Sequence, residues 1–231
     1  MTRYALAAAC AALVALGGSS TALAAAPPPA DVQTPATDVF TGETATALQT
    51  PASLATCTAP RLASVLSSLG DRRSYFSAPG GDFESGLDGW QLAGGAARVA
   101  GNEPWRVLGS AHGSSLRLPP GSSAITPTFC IDLDYPTFRF FAAQLQSKAD
   151  AELQVDVFYP DVAKRNVRQA ETVKGDKPTT WTLAKDVDLK PTTAGKARGW
   201  RRVALRFRVP ATSKGADWRV DDVVVDPRCR F

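Results

Sequence analysis

Acids set beside large apolar residues are the first groups in this chain that could do chemistry. In Gly80-Gly81-Asp82-Phe83-Glu84-Ser85-Gly86, Asp82 and Glu84 flank Phe83, and Gly89-Trp90 follows. Near the other end, Trp218-Arg219-Val220-Asp221-Asp222-Val223 holds two adjacent acids between apolar neighbours. Calcium takes about six to eight oxygen ligands, and two carboxylates plus backbone carbonyls suit it. The 80–86 run therefore reads as a strand start and a candidate calcium site.

Other chemistries lack their parts. His112 is the only histidine, in Gly109-Ser110-Ala111-His112-Gly113-Ser114. A serine triad around it needs an aspartate and a serine from elsewhere in the chain. A loop histidine beside a structural ion is the better reading. One histidine and scattered cysteines have no zinc-ligand spacing, and no Gly-rich phosphate loop is present. A glycosidase needs a pair of carboxylates. The chain has five glutamates, one of them in a Pro/Ala/Thr-rich stretch, which argues against that reading. No catalytic constellation emerges, and the chain reads as a non-enzyme.

Binding is the stronger class. Sugar rings stack on exposed aromatics, so the aromatics outside the fold motifs matter most. Trp90 and Trp218 read as core. Trp105, Trp181, Trp200 and Tyr159 remain as candidate ligand platforms. Arg202, Arg206 and Arg208 fall on one face of a strand. That face reads as a solvated one that discourages aggregation, or as a contact for an anionic polymer. Charge is uneven along the chain: residues 131–231 hold 19 Lys and Arg against 14 Asp and Glu, and residues 1–130 hold 7 against 8. No basic recognition helix or aromatic-basic module is visible, which argues against nucleic acid as a partner.

The elements that must position these groups begin after an export segment. Arg3, the apolar run 4–16 and Ala22-Leu23-Ala24 fit a signal peptide cleaved near 24–26. A lipid anchor at Cys10 is the rival, disfavoured by the all-alanine stretch before it. No run reaches the ~18–20 apolar residues of a membrane span. The composition of 27–56 reads as a flexible tether, leaving 57–231 as a single domain. Cleavage leaves Cys57, Cys130 and Cys229, enough for one disulfide and one thiol in an oxidising compartment. Cys57–Cys130 is the expected pair, and Cys229 bonding to either of them is the alternative. Leu62, Val65, Leu66 and Leu69 at helical spacing predict a short N-terminal helix over 60–69. Beyond it, period-two alternation over 152–159 and 202–209 predicts strands. Further strands are expected at 82–85, 89–93, 96–100, 114–118, 122–132, 136–147, 166–174, 179–184 and 217–225. Many short strands without intervening helices predict a sandwich or barrel.

Three motifs in order carry a family resemblance. Gly81-Asp82-Phe83-Glu84-Ser85-Gly86 with Gly89-Trp90, then Ala111-His112-Gly113-Ser114-Ser115-Leu116, then Trp218-Arg219-Val220-Asp221-Asp222-Val223 resemble calcium-containing jelly-roll carbohydrate-binding modules of the galactose-binding-like fold. The span 57–231 also resembles a group of uncharacterised secreted proteins of high-GC Gram-positive bacteria. That likeness rests on Cys57, Pro79-Gly80-Gly81-Asp82-Phe83-Glu84, Gly101-Asn102-Glu103-Pro104, Phe129-Cys130, Arg139-Phe140-Phe141 and Val220-Asp221-Asp222-Val223 through Pro227.

The resemblance implies an all-β jelly-roll sandwich whose first and last strands are neighbours. It implies Phe83 and Trp90 facing inward, and a structural calcium held by Glu84 with Asp221 or Asp222. Carbonyls near Asp82 and His112 would complete its shell. The second likeness supports the Cys57–Cys130 pairing. The resulting expectation is a secreted, monomeric, non-catalytic module for a glycan or anionic cell-wall polymer. The alternative is a structural or protein-interaction domain on the same scaffold, with Trp105, Trp181 and Trp200 all buried or unsupported by polar neighbours.

Overall fold

Among the described residues, alternation of apolar and polar residues produces thirteen short strands, numbered here in chain order. The computed structural model describes residues 57–146, 150–160, 166–175, 180–194 and 199–226, all within one compact unit. The export segment, the tether and Cys229 lie outside the described residues. One seven-stranded sheet contains β1 (Phe76–Ser77), β3 (Ala97–Ala100), β4 (Ser114–Leu118), β7 (Thr137–Gln144), β10 (Thr182–Leu183), β11 (Val187–Asp188) and β13 (Trp218–Asp226). A six-stranded sheet contains β2 (Gln91–Ala93), β5 (Ser123–Ile125), β6 (Phe129–Ile131), β8 (Glu152–Tyr159), β9 (Asn166–Lys174) and β12 (Arg201–Arg208). The main orders are β10-β7-β13-β4-β3 and β2-β5-β12-β8-β9. Neighbours run antiparallel, as in β12 against β8 and β13 against β7.

The two sheets face each other as a β-sandwich. Leu153, Val155, Val157 and Tyr159 of β8 and Val203, Leu205 and Phe207 of β12 meet Phe138, Phe140, Leu116, Leu118, Trp218 and Val220 in one buried core. The polar partners on β12 point outward. There Arg206 and Arg208 both donate to Asp156, at 2.8 and 3.1 Å, and the Arg206 guanidinium lies over the Phe158 ring. The chain's two ends meet as expected. β1 pairs with Val224–Val225 of β13, and the Val223 N–H donates to the Gly81 carbonyl at 3.0 Å. A side chain at Gly81 would come within about 3.0 Å of Val223, so the neighbours would have to give by a few tenths of an ångström to admit one.

Several expectations are corrected. The helix over 60–69 is a single 3-10 turn, Ser67–Leu69. Ala63 pairs instead with Tyr75, and Ser64 Oγ donates to the Arg72 carbonyl. A helix this short nucleates poorly, and serines offer the backbone other partners. Leu66 and Tyr75 still bury, but on Phe141 and Val224 at the outer face of the seven-stranded sheet. The strand expected at 82–85 is a turn, with Phe83 in the left-handed region at φ +57°. The run 122–132 is two strands, β5 and β6, because Pro127 interrupts it.

The segment covering the outer face is fastened covalently and by charge. The Cys57–Cys130 disulfide is present. Arg73 binds Asp71 at 2.6 Å, Asp186 at 2.8 Å and also Asp226, while Arg139 of β7 reaches Asp71 at 3.0 Å. Tyr75 Oη donates to Asp71 at 2.8 Å. The disulfide spans 73 residues, so its loss is expected to cost about 2–5 kcal/mol. Urea denaturation of Cys57→Ser checks this. Reductant should lower the wild-type midpoint to that of the variant and leave the variant unmoved.

Candidate functional site

One extra residue in β13 creates the most unusual environment in the molecule. Its pairing with β7 slips between Asp221, opposite Phe141, and Val224, opposite Arg139. Before the slip Trp218 and Val220 face the core; after it Val223 and Val225 do. The bulge absorbs the change of phase. Asp222 sits within it at φ +45°, a conformation that aspartate tolerates better than most residues. Asp221 and Asp222 are both completely buried.

Most acids gathered here are held by backbone N–H groups. Asp221 accepts from the N–H of Glu103 at 3.0 Å and of Asp222 at 2.9 Å. Glu103, also completely buried, accepts from Val107 N–H at 2.7 Å and from Trp105 N–H. Glu84 accepts from Gly113 and Ser114 N–H at 2.8 and 2.7 Å. Arg98 donates to the carbonyls of Phe83 and Glu84, which with the ring contact to Trp90 at 5.1 Å holds Phe83 in its strained backbone. Asp222 is the exception: neither carboxyl oxygen receives an N–H or O–H among the described residues. Its carboxyl instead faces that of Glu103, with Asp221 and Asp82 contributing further negative charge. Burial and these neighbours push Asp222 far above the ordinary carboxylate range. Burial pushes Asp221 up to about 8 despite its two N–H donors.

Of the acids expected to act together, Glu84, Asp221, Asp222 and Asp82 share this electrostatic neighbourhood. Asp82 accepts from Glu84 N–H at 3.3 Å. His112 is half-buried, and its Nδ1 has no hydrogen-bond partner. Sequence reasoning missed Glu103 as a site residue. Its motif Gly101-Asn102-Glu103-Pro104 carries a family likeness but gives no role for the carboxylate, because its partners lie in β13 and in its own loop. Among the described residues, no three Asp, Glu, His or Cys side chains form a ready-made coordination shell.

The aromatic candidates divide. Trp105 is 44% exposed and stacks on Phe141 at 5.3 Å. Trp200 is 37% exposed and stacks on Tyr135 at 5.9 Å. Trp181 is half-buried against the cluster of Leu66, Tyr75, Phe141 and Val224. Tyr159 is corrected: its ring lies in the core and its hydroxyl donates to the Leu189 carbonyl at 2.7 Å, so it presents no platform. Its place in the β8 alternation makes it an inward residue.

A cleft of about 450 Å³ opens where the edge strand β9 of one sheet approaches the edge strand β10 of the other. Its lining includes Gln144, Glu171, Thr172, Thr182, Lys185 and Trp218. Trp218 is otherwise a core residue, but its indole N–H has no acceptor among the described residues. A buried donor without a partner costs about 1–3 kcal/mol. The cleft thus combines one aromatic donor with hydroxyl, amide and charged groups.

No family model matches the chain, and no curated protein matches it. Among solved structures, it is similar to a xylan-binding domain from CBM 22, at 12% identity over 68% of this chain and 97% of that one, with a TM-score of 0.42. It is similar to the CBM22-1 xylan-binding domain from Paenibacillus barcinonensis Xyn10C, at 14% identity over 69% and 97%, TM-score 0.40. It is also similar to TmCBM61, solved with beta-1,4-galactotriose, at 14% identity over 64% and 95%, TM-score 0.36. Values this low establish neither a shared ligand nor a shared site.

The buried acids set a pH dependence of unusual sign. A carboxyl whose folded value is raised keeps a proton that the unfolded chain releases, so it stabilises at low pH and that stability is lost as pH rises. For Asp221 the window runs from the ordinary aspartate value of 3.8 to about 8. In chelator, urea denaturation is expected to show stability falling by about 2–4 kcal/mol between pH 5 and 8. Asp222→Asn should flatten the curve. Stability that rises over this range would contradict the assignment.

Proposed function

We propose that this chain is a secreted, non-catalytic binding module on a jelly-roll sandwich, and that its ligand is a glycan. The cleft between β9 and β10 carries this reading. Its volume falls in the ~300–1,000 Å³ range of small-molecule sites. A sugar ring offers hydroxyls that donate to a carboxylate and exchange hydrogen bonds with hydroxyl and ammonium groups, matching Glu171, Thr172, Thr182 and Lys185. Among the described residues the lining has one carboxylate, Glu171, and glycoside cleavage normally uses two. This supports binding without chemistry. The disulfide suits an oxidising compartment, which agrees with export. The alternative domain without a sugar site expects Trp105, Trp181 and Trp200 all buried or unsupported; the exposure of Trp105 and Trp200 weighs against it.

Calcium belongs to the same reading. Asp222 and Glu103 would hold it, with Asp221 and Glu84 adjacent. The support is the buried Asp222 carboxyl with both oxygens unpartnered, a group that calls for a cation or a shared proton. When bound, the ion supplies positive charge to a buried set of acids. The acids fix its place between β13 and the loop after β3, so it fastens the fold rather than facing the cleft.

Two measurements test these readings. On a glycan array followed by calorimetry, the wild type should bind a soluble polysaccharide, and Thr182→Arg should weaken binding at least about 10-fold (~1.4 kcal/mol) with its melting temperature unchanged. Blank arrays and blank pull-downs on wall polysaccharides would remove the glycan reading. Separately, millimolar calcium should raise the melting temperature over chelator by several degrees in the wild type and not in Asp222→Ala. An unchanged wild type would sink the ion.

A further inference from the structure

The loop 101–113, which joins β3 to β4, contains no strand or helix. Loops of this length usually carry function or lack order, and their N–H groups need partners. Here carboxylates supply many of them. Glu103 takes the N–H of Val107 at 2.7 Å and that of Trp105. Asp221 takes the N–H of Glu103 at 3.0 Å. Glu84 takes those of Gly113 and Ser114 at the far end, at 2.8 and 2.7 Å. Both ends of the loop are therefore pinned by acids: Glu103 and Asp221, which border Asp222, at the start, and Glu84, which borders Asp221, at the end. Between the pins the chain is strained: Arg106 is left-handed at φ +49°. The loop's most exposed large apolar group is Trp105, with one ring face on Phe141.

Glu103 answers two demands at once. Its oxygens hold the two loop N–H groups, and its carboxyl faces the unpartnered carboxyl of Asp222. Two facing carboxylates in a buried place repel strongly. The repulsion is relieved by a proton shared between the two acids, by Glu103 swinging away and releasing the loop, or by a cation between the acids.

We propose that a divalent cation beside Asp222 holds the 101–113 loop in place through Glu103, and so sets the exposed face of Trp105. Glu103 is the positioning residue. The inference rests on the calcium reading above, and it adds that the ion controls a surface as well as stability. A ligand that contacts this face of Trp105 then binds more tightly when calcium is present, and calcium binds more tightly by the same factor when the ligand is present.

Hydrogen exchange by mass spectrometry on the full chain, with calcium or with chelator, tests it beside a melting curve. Calcium should slow exchange at Trp105, Val107, Gly113 and Ser114 at least about 5-fold (~1 kcal/mol) and shift tryptophan emission. Trp105→Phe should lose the emission shift but keep the rise in melting temperature. Asp222→Asn should protect the loop without calcium, because an amide donates to Glu103 where a carboxylate repels it. A calcium-induced rise in melting temperature with unchanged loop exchange overturns the inference and leaves the calcium reading standing. No rise in melting temperature overturns both.

Discussion

The structure depends on buried carboxylates that accept hydrogen bonds from irregular backbone. The bulge in β13 puts Asp221 and Asp222 side by side where the sheet would otherwise admit one outward residue. Asp221 holds the start of the β3–β4 connection through Glu103 N–H, and Glu84 holds its end. A non-repetitive loop can lie against the fold because acids supply the acceptors that a neighbouring strand would otherwise provide. This arrangement concentrates negative charge away from water, and Asp222 is left without a hydrogen-bond donor among the described residues.

The two faces of the sandwich are finished differently. The outer face of the seven-stranded sheet is covered by the segment before β1, with Leu66 and Tyr75 buried on Phe141 and Val224. Arg73 and Arg139 tie that cover to the sheet through Asp71, Asp186 and Asp226. On the six-stranded sheet, Arg206 and Arg208 fold over Asp156 and Phe158, so part of the expected basic face is spent within the protein. A cleft opens at the edges, between β9 and β10. There Trp218, a residue of the core, joins the lining, and its buried indole N–H has no acceptor among the described residues.

Much of the sheet arrangement was legible. Alternation over 152–159 and 202–209 marks β8 and β12 because period-two burial is a local property of a strand lying on a core. Glycine, proline and aspartate mark most strand ends. The local patterns that misled were those whose outcome depends on distant partners. Leu62, Val65, Leu66 and Leu69 have helical spacing, but Ala63 finds Tyr75 and the helix does not form. Tyr159 looks like a surface aromatic when isolated, yet its position in the alternation makes it core.

The sequence by itself determined an all-strand sandwich with inward Phe83 and Trp90, the meeting of the chain's two ends, and a set of acids near that meeting. Short-range periodicity carries the strands, and the family resemblance of three motifs in order implies the inward aromatics and the meeting of the ends. Only the tertiary structure decided that Glu103 joins those acids, that Asp222 is the one without a donor, and that a cleft opens beside Trp218. Each of these depends on what burial removes from water and on which backbone N–H lies within reach. Both are set by segments far apart in the chain.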